Sequence, residues 1–296
     1  MELRPYSPGD LAALIELQHA YESAWFGAPQ QNEDEVREAV DKADAVVLAV
    51  DDGRVVGAAY AWRTGAHVIA DRAADSANDA AADSANTVDA VFALLLPWLR
   101  SHAVPEVEAL DREVRLIAAL ERFGWRYAHS AYDLHRTVTP ELVLPEPRWP
   151  DGVELRPWSA EHEAALHHLV YVDAAWAEVP GHHARDLAEW RRIFLAGRPE
   201  QESPLVAWRG ERPVGVALIR YWSDGTGWVA QLAVARDERG RGLGRSLLAT
   251  ALRRMVAGGA SGLGLSVMGD NRGALAMYLD AGLAVEREWR TYLLGP

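Results

Sequence analysis

The apolar and polar positions along the chain predict the same run of elements twice. Residues 2–7 read Glu-Leu-Arg-Pro-Tyr-Ser and residues 154–159 read Glu-Leu-Arg-Pro-Trp-Ser. Helical periodicity follows each, in Leu11-Ala-Ala-Leu-Ile-Glu-Leu17 and in Ala164-Ala-Leu-His-His-Leu-Val170,. Both halves then show two apolar runs around a tight polar turn. These are Val46–Val50 and Arg54–Ala58 around Asp-Asp-Gly, and Leu205–Trp208 and Arg212–Val216 around Arg-Gly-Glu,. Later in each half a helical pattern runs into Phe123-Gly124-Trp125 or Ala281-Gly282-Leu283, and a last strand follows. Such a repeat predicts two copies of one α/β domain. Pro140, Pro145, Pro147 and Pro150 read as a stiff linker,. The expected division is a degenerate domain at 1–139, the linker at 140–152 and a second domain at 153–296.

The copies differ where chemistry would lie. In the second half an apolar strand, Trp228 to Val234, leads to a loop with glycines at 240, 242 and 244. A helical pattern then begins (Leu247, Leu248, Ala251, Leu252, Met255). A strand, a glycine loop and a helix in this order form an anion site. Glycines let the backbone approach an oxyanion, and the first N–H groups of a helix have no partner inside it. Arg239, Arg241 and Arg245 add charge suited to phosphate,. The loop lacks the Gly-Lys-Ser/Thr ending of a P-loop, and its spacing fails the dinucleotide fingerprint. The first half has instead an acidic, low-complexity stretch, 71–86, in which Ala-Asp-Ser-Ala-Asn occurs twice. That stretch would repel a pyrophosphate. Aligning Gly124 with Gly282 sets Glu113 opposite Asn271 and Leu120 opposite Tyr278. The first copy therefore reads as a structural or substrate-shaping domain.

Composition narrows the function. The chain has 296 residues, 49% hydrophobic and 25% charged, as in soluble two-domain proteins,. It contains no cysteine, so thiolate catalysis and Cys-type zinc sites are excluded,. A formal net charge of −13 argues against nucleic acid as a partner and suits a cationic substrate,. Met-Glu-Leu-Arg-Pro-Tyr lacks a signal-peptide core, and the apolar run from Ala90 to Leu99 is short and contains Pro97,. No membrane partner and a cytoplasmic location are expected. His162, His167 and His168 have no acidic partner at ligand spacing, so no metal is expected,.

The loop's wording is more specific than its glycines. Arg239-x-x-Gly242-x-Gly244 directly after a Leu-x-Val strand resembles the pyrophosphate loop of the GCN5-related N-acetyltransferases (GNAT). A second match follows the strand Leu263-x-Leu265-x-Val267: Asn271-x-x-Ala274-x-x-x-Tyr278-x-x-x-Gly282. The resemblance implies two tandem GNAT-type acyl-CoA N-acyltransferase domains. Each would hold a mixed, mostly antiparallel sheet flanked by helices. In the second, the strand after Val214 and the strand from Leu263 should splay around the cofactor strand. It further implies acetyl-CoA as cosubstrate, with its pyrophosphate on the backbone from Arg239 through Gly240, Arg241, Gly242, Leu243, Gly244 and Arg245 to Ser246. Its pantetheine amides would lie along Leu232, Ala233 and Val234, as an added strand would.

Under the same resemblance Tyr278 is the general acid that protonates the leaving thiolate. A core aromatic is its plainer reading, since Leu275, Tyr278 and Leu279 share a helical face. Asn271 contacts the cosubstrate or caps the helix carrying Tyr278, and these roles are compatible. The general base stays open. Thr226 to Val234 contains no acid, which leaves Asp224, Glu178, His182, His183 or water. Trp176, Trp222, Trp228 and Trp289 could line an acceptor pocket or serve packing. The implied reaction is transfer of acetyl to the primary amine of a small molecule by direct attack. A protein N-terminal or lysine acetyltransferase and a non-catalytic acyl-CoA sensor are the alternatives.

Overall fold

A computed structural model describes residues 1–71, 81–179, 184–222 and 224–295. The chain divides into two compact units, Met1–Ser130 with Glu288–Pro296, and Ala131–Arg287. In chain order, unit 1 holds β1 (Glu2–Pro5), α1 (Leu11–Phe26), α2 (Glu33–Lys42), β2 (Ala45–Asp51), β3 (Arg54–Trp62) and β4 (Gly65–Ala70). It continues with α3 (Ala81–Ser101), β5 (Glu106–Leu110), α4 (Val114–Arg122) and the start of β6 (Trp125–Thr137). Unit 2 holds the rest of β6, then β7 (Glu154–Arg156), α5 (Glu163–His168), α6 (Leu187–Phe194), β8 (Leu205–Arg209) and β9 (Arg212–Tyr221). After these come β10 (Thr226–Val234), α7 (Leu243–Ala257), β11 (Gly262–Met268), α8 (Arg272–Asp280) and the start of β12 (Ala284–Leu294). The end of β12 belongs to unit 1.

In unit 1 the sheet runs β1-β2-β3-β4-β5-β12, antiparallel except for one parallel pair, Ala66 with Val107. Asp52 and Gly53 both have positive φ, as the two-residue turn between β2 and β3 requires,. One sheet face takes Val91, Leu95, Leu96 and Leu99 of α3. Leu14, Leu17 and Tyr21 of α1 pack on Leu48, Ala58, Tyr60 and Ile69 of the other. Trp289 pairs with Leu110 and its ring lies 6.3 Å from that of Phe26. It is thus part of unit 1.

Unit 2 repeats the plan. Its sheet runs β6-β11-β10-β9-β8-β7, with β10 and β11 parallel and the other pairs antiparallel. α7 and α8 cover one face through Leu243, Leu247, Leu252, Met255 and Tyr278, packed with Leu263, Leu265 and Val267. α5, a π turn (Leu169–Asp173) and α6 cover the other through Leu166, Val170 and Trp190.

One expectation changes. The parting of strands lies between β10 and β11, whereas β9 stays paired with β10 to its end, Val234 with Gly215. The β10–β11 ladder stops at Val229 with Leu265, although β10 runs on to Val234 and β11 to Met268. The compact units divide the chain at 130/131 and 287/288. Residues 131–137 pair with β11, and 289–293 pair with β5. The proline stretch is held against unit 2: Arg253 donates to the carbonyls of Leu144 and Pro145, and Leu142, Leu144 and Trp149 pack on the α7 core.

Candidate active site

β10 supplies both the floor and the edge of the site. Its alternation breaks between Val229 and Gln231, so Ala230 is an extra, unpaired residue opposite β9,. Beyond this bulge Leu232 and Val234 turn to the α7 face and Gln231 and Ala233 to the α6 face. The same stretch has no ladder to β11, which leaves one backbone edge of Leu232 to Val234 open to a ligand,. The carbonyl of Val234 already accepts a bond from Arg239 Nε at 3.1 Å.

The loop after β10 is a 3₁₀ turn, Arg236–Glu238, followed by Gly240 and Gly242 at φ of 77° and 87°. Those left-handed positions aim the backbone at solvent and start α7 without a side-chain cap,. Among the described residues no acceptor takes the N–H of Gly240, Arg241, Gly242, Leu243, Gly244 or Arg245. The first helical bond is Ser246 N–H to Gly242 O, at 3.0 Å. A run of unsatisfied donors at a helix start is a site for an anion with several oxygens.

Arginine charge contributes less than the sequence suggests. Arg239 donates to the carbonyls of Val234 and Ala174, the latter at 2.7 Å. Arg245 pairs with Asp280 at 2.9 Å. Arg241 approaches Glu238 at 3.4 Å and is otherwise exposed. Ser246 is buried, and its hydroxyl bonds the backbone of Arg148, which ties the proline stretch to α7. Its side chain faces away from the open loop. Gly244 passes close to Met277 and Val234, so the helix start packs on α8 and β10.

α8 presents Tyr278. Asn271 caps it, its Oδ1 accepting from Ala274 N–H at 3.2 Å, the capping role anticipated from its spacing,. Tyr278 is 7% exposed in the α7 core, and its hydroxyl has no hydrogen bond among the described residues. Burial pushes its pKa up to about 12, so at neutral pH it is a hydrogen-bond donor,. Gly282 takes φ of 88°, and a Cβ there would sit 2.0 Å from Arg136 Nη1. In unit 1, Glu113 precedes α4 as Asn271 precedes α8, and Leu120 is fully buried in the place of Tyr278.

The candidate bases scatter. Asp224 Oδ1 accepts from Thr226 N–H at 2.8 Å and closes the β9–β10 turn. Glu178 is exposed and pairs with Arg236. His182 and His183 lie outside the described residues, as does most of the acidic stretch of the first half. No group of three metal-ligating side chains occurs among the described residues. No described helix is long and apolar enough to cross a membrane.

Two contacts were not foreseen. Trp190 Nε1 donates to Gln231 Oε1 at 2.9 Å, deep under α6. Arg209 grips Glu238 just before the loop. Glu238 stands one residue before Arg239, and no local pattern marks it as buried.

Residues 149–283 match the acetyltransferase (GNAT) family. A mycothiol acetyltransferase of Corynebacterium efficiens is 29% identical over 60% of this chain and 56% of its own. One from Saccharopolyspora erythraea is 28% identical over 53% and 52%. The chain thus spans about half the length of the curated relatives it matches. Its tandem plan also resembles mycothiol synthase. Among solved structures, a GCN5-related N-acetyltransferase from Sphaerobacter thermophilus superposes with a TM-score of 0.74. It is 20% identical and covers 100% of this chain and 96% of its own. A tandem GNAT protein from the clavulanic acid biosynthesis pathway gives 0.66 at 16% identity, over 100% and 99%. The donor loop, the parted strands and these likenesses agree. Residues 149–283 match the acetyltransferase (GNAT) family, and the whole chain has the fold of tandem GNAT proteins.

Proposed function

We propose that unit 2 transfers acetyl from acetyl-CoA to the primary amine of a small molecule, by direct attack in a ternary complex. The observation that carries this reading is the run of unpaired N–H groups from Gly240 to Arg245. These donors suit a pyrophosphate, and the open edge from Leu232 to Val234 suits an amide-bearing arm. Asn271 and Gly282 hold α8 so that Tyr278 faces the same core as the start of α7.

The free amine attacks the thioester carbonyl and forms C–N, and C–S breaks when the resulting adduct collapses. Tyr278 hands its proton to the leaving sulfur and regains one from the new amide nitrogen as the tetrahedral adduct collapses. An ammonium substrate must first lose one further proton. No acyl-enzyme enters the scheme, since direct transfer needs no protein nucleophile.

The test is calorimetric titration of acetyl-CoA into wild-type protein and into Gly242→Glu, which adds bulk and negative charge at the loop. Binding of one per chain, abolished in the variant, is expected. No binding to wild type would refute the reading. Two sites per chain would overturn the assignment of unit 1 as non-binding. Tight binding without turnover of any amine would favour a sensor.

A further inference from the structure

The face of unit 2's sheet opposite α7 carries groups that the proposed reaction has not used. Leu263, Leu265 and Val267 of β11 point into the α7 core, as do Tyr132 and Leu134 of β6. Alternation sends Gly262, Gly264 and Ser266 to the other face, with Asp133 and His135 as register neighbours,. The two glycines make room for rings. A Cβ on Gly264 would lie 2.4 Å from the six-membered ring of Trp228, and one on Gly262 would lie 2.4 Å from His135 Nε2. Ser266 and Asp133 form the next row, and the Ser266 hydroxyl donates to Asp133 Oδ1. Ser266 stands one residue past Leu265, the last residue paired with β10. The row therefore sits where the strands part.

Gln231 is a second, independent mark of a ligand on this face. It is 2% exposed and lies two residues past the last paired residue of β10. An indole N–H can only donate, so the bond from Trp190 fixes the amide oxygen inward,. Among the described residues the amide nitrogen is left as a buried donor with no partner. A buried unsatisfied donor is costly and calls for an acceptor atom.

We propose that Asp133, oriented by Ser266, takes the proton from the substrate's ammonium group on this face. The Gln231 amide N–H donates to an oxygen of the bound acceptor. This assignment rests on the acetyltransferase reading of unit 2. The proton moves from nitrogen to the Asp133 carboxylate and on to solvent, which leaves a neutral amine. Asp133 lies on β6, and only the sheet pairing brings it to the place where the strands part.

The experiment compares two amines at saturating acetyl-CoA. Hydroxylamine is a free base at neutral pH and needs no general base, whereas ethanolamine is an ammonium ion. In Asp133→Asn, ethanolamine turnover should fall at least tenfold relative to hydroxylamine turnover. Asp133→Glu should restore part of the loss. Acetyl-CoA affinity by calorimetry should stay within twofold of wild type. Equal losses with both amines, or no loss, would overturn the assignment. So would a wild type that acetylates hydroxylamine but not ethanolamine at any pH. Failure of wild type to bind acetyl-CoA would instead remove the reading beneath it.

Discussion

Arg209 meets Glu238 through both carboxylate oxygens, Nε to Oε1 at 2.6 Å and Nη2 to Oε2 at 2.9 Å. Arg209 ends β8 and Glu238 ends the 3₁₀ turn before the donor loop, so the pair fixes where that loop leaves the sheet. The Arg209 guanidinium holds the Glu238 carboxyl below its ordinary value. Glu238→Gln keeps the shape but loses the charge-assisted pair. It should lower stability by about 1–2 kcal/mol. It should also weaken acetyl-CoA binding several-fold. Urea unfolding and calorimetry on one preparation check both, and an unchanged affinity would show that the loop positions itself.

Tyr278→Phe separates chemistry from packing. The hydroxyl makes no hydrogen bond among the described residues, so its removal should leave the melting temperature nearly unchanged. Turnover should drop by about 10²–10⁴-fold if the hydroxyl protonates the thiolate. With the tyrosine pKa pushed up to about 12, wild-type turnover should show no loss from its ionisation up to pH 10. An alkaline limb well below that, absent in the variant, would mean a less buried tyrosine.

Gly282→Ala should be costly even though only a methyl is added. The position has φ of 88°, and the Arg136 guanidinium occupies the space of a Cβ. Strain and displacement together should cost about 1–3 kcal/mol. Because Gly282 stands two residues past the end of α8, the loss should appear in thermal unfolding and in Tyr278-dependent turnover. A neutral effect on both would show that Arg136 swings away freely.

The acid limb of stability should have two stages. Burial lowers the pKa of His67 to about 4, with the rings of Tyr21 and Tyr60 5.6 and 6.1 Å away. The unfolded histidine titrates near 6.5, so the unfolded state binds the extra proton first and stability falls between about pH 6.5 and 4. Asp10, Asp237, Glu238 and Glu288 are depressed chiefly by hydrogen bonds from arginines. Their contribution is full above the ordinary carboxylate range and is lost as pH drops through their lowered values, below about 4. His67→Phe should flatten only the first stage in a melting-temperature profile. A single transition unaffected by that variant would contradict the assignment.

What could be read early was whatever is local. Hairpin turns at Asp52-Gly53, helix starts at Asn271, and the loop from Arg239 to Ser246 are written in neighbouring residues. Pairing partners are not local, so the placement of residues 131–137 beside β11 left no trace in periodicity, and neither did Asp133. Proline content marked 140–152 as a spacer, since composition reports stiffness and not what the stretch packs on. Arg239 and Arg245 carried the right charge for phosphate. Only geometry shows that carbonyls and Asp280 already engage them.

Residues 288–294 close the sheet of unit 1, and residues 131–137 lie in unit 2. A ribosome therefore finishes most of unit 2 before unit 1 can gain its last strand. Through that interval β5 has an unsatisfied edge, a state open to pairing with another chain. Cutting the gene at the repeat boundary would make the state permanent. Each fragment would lack one strand and carry one that belongs to the other, so the two halves should stay soluble only when made together.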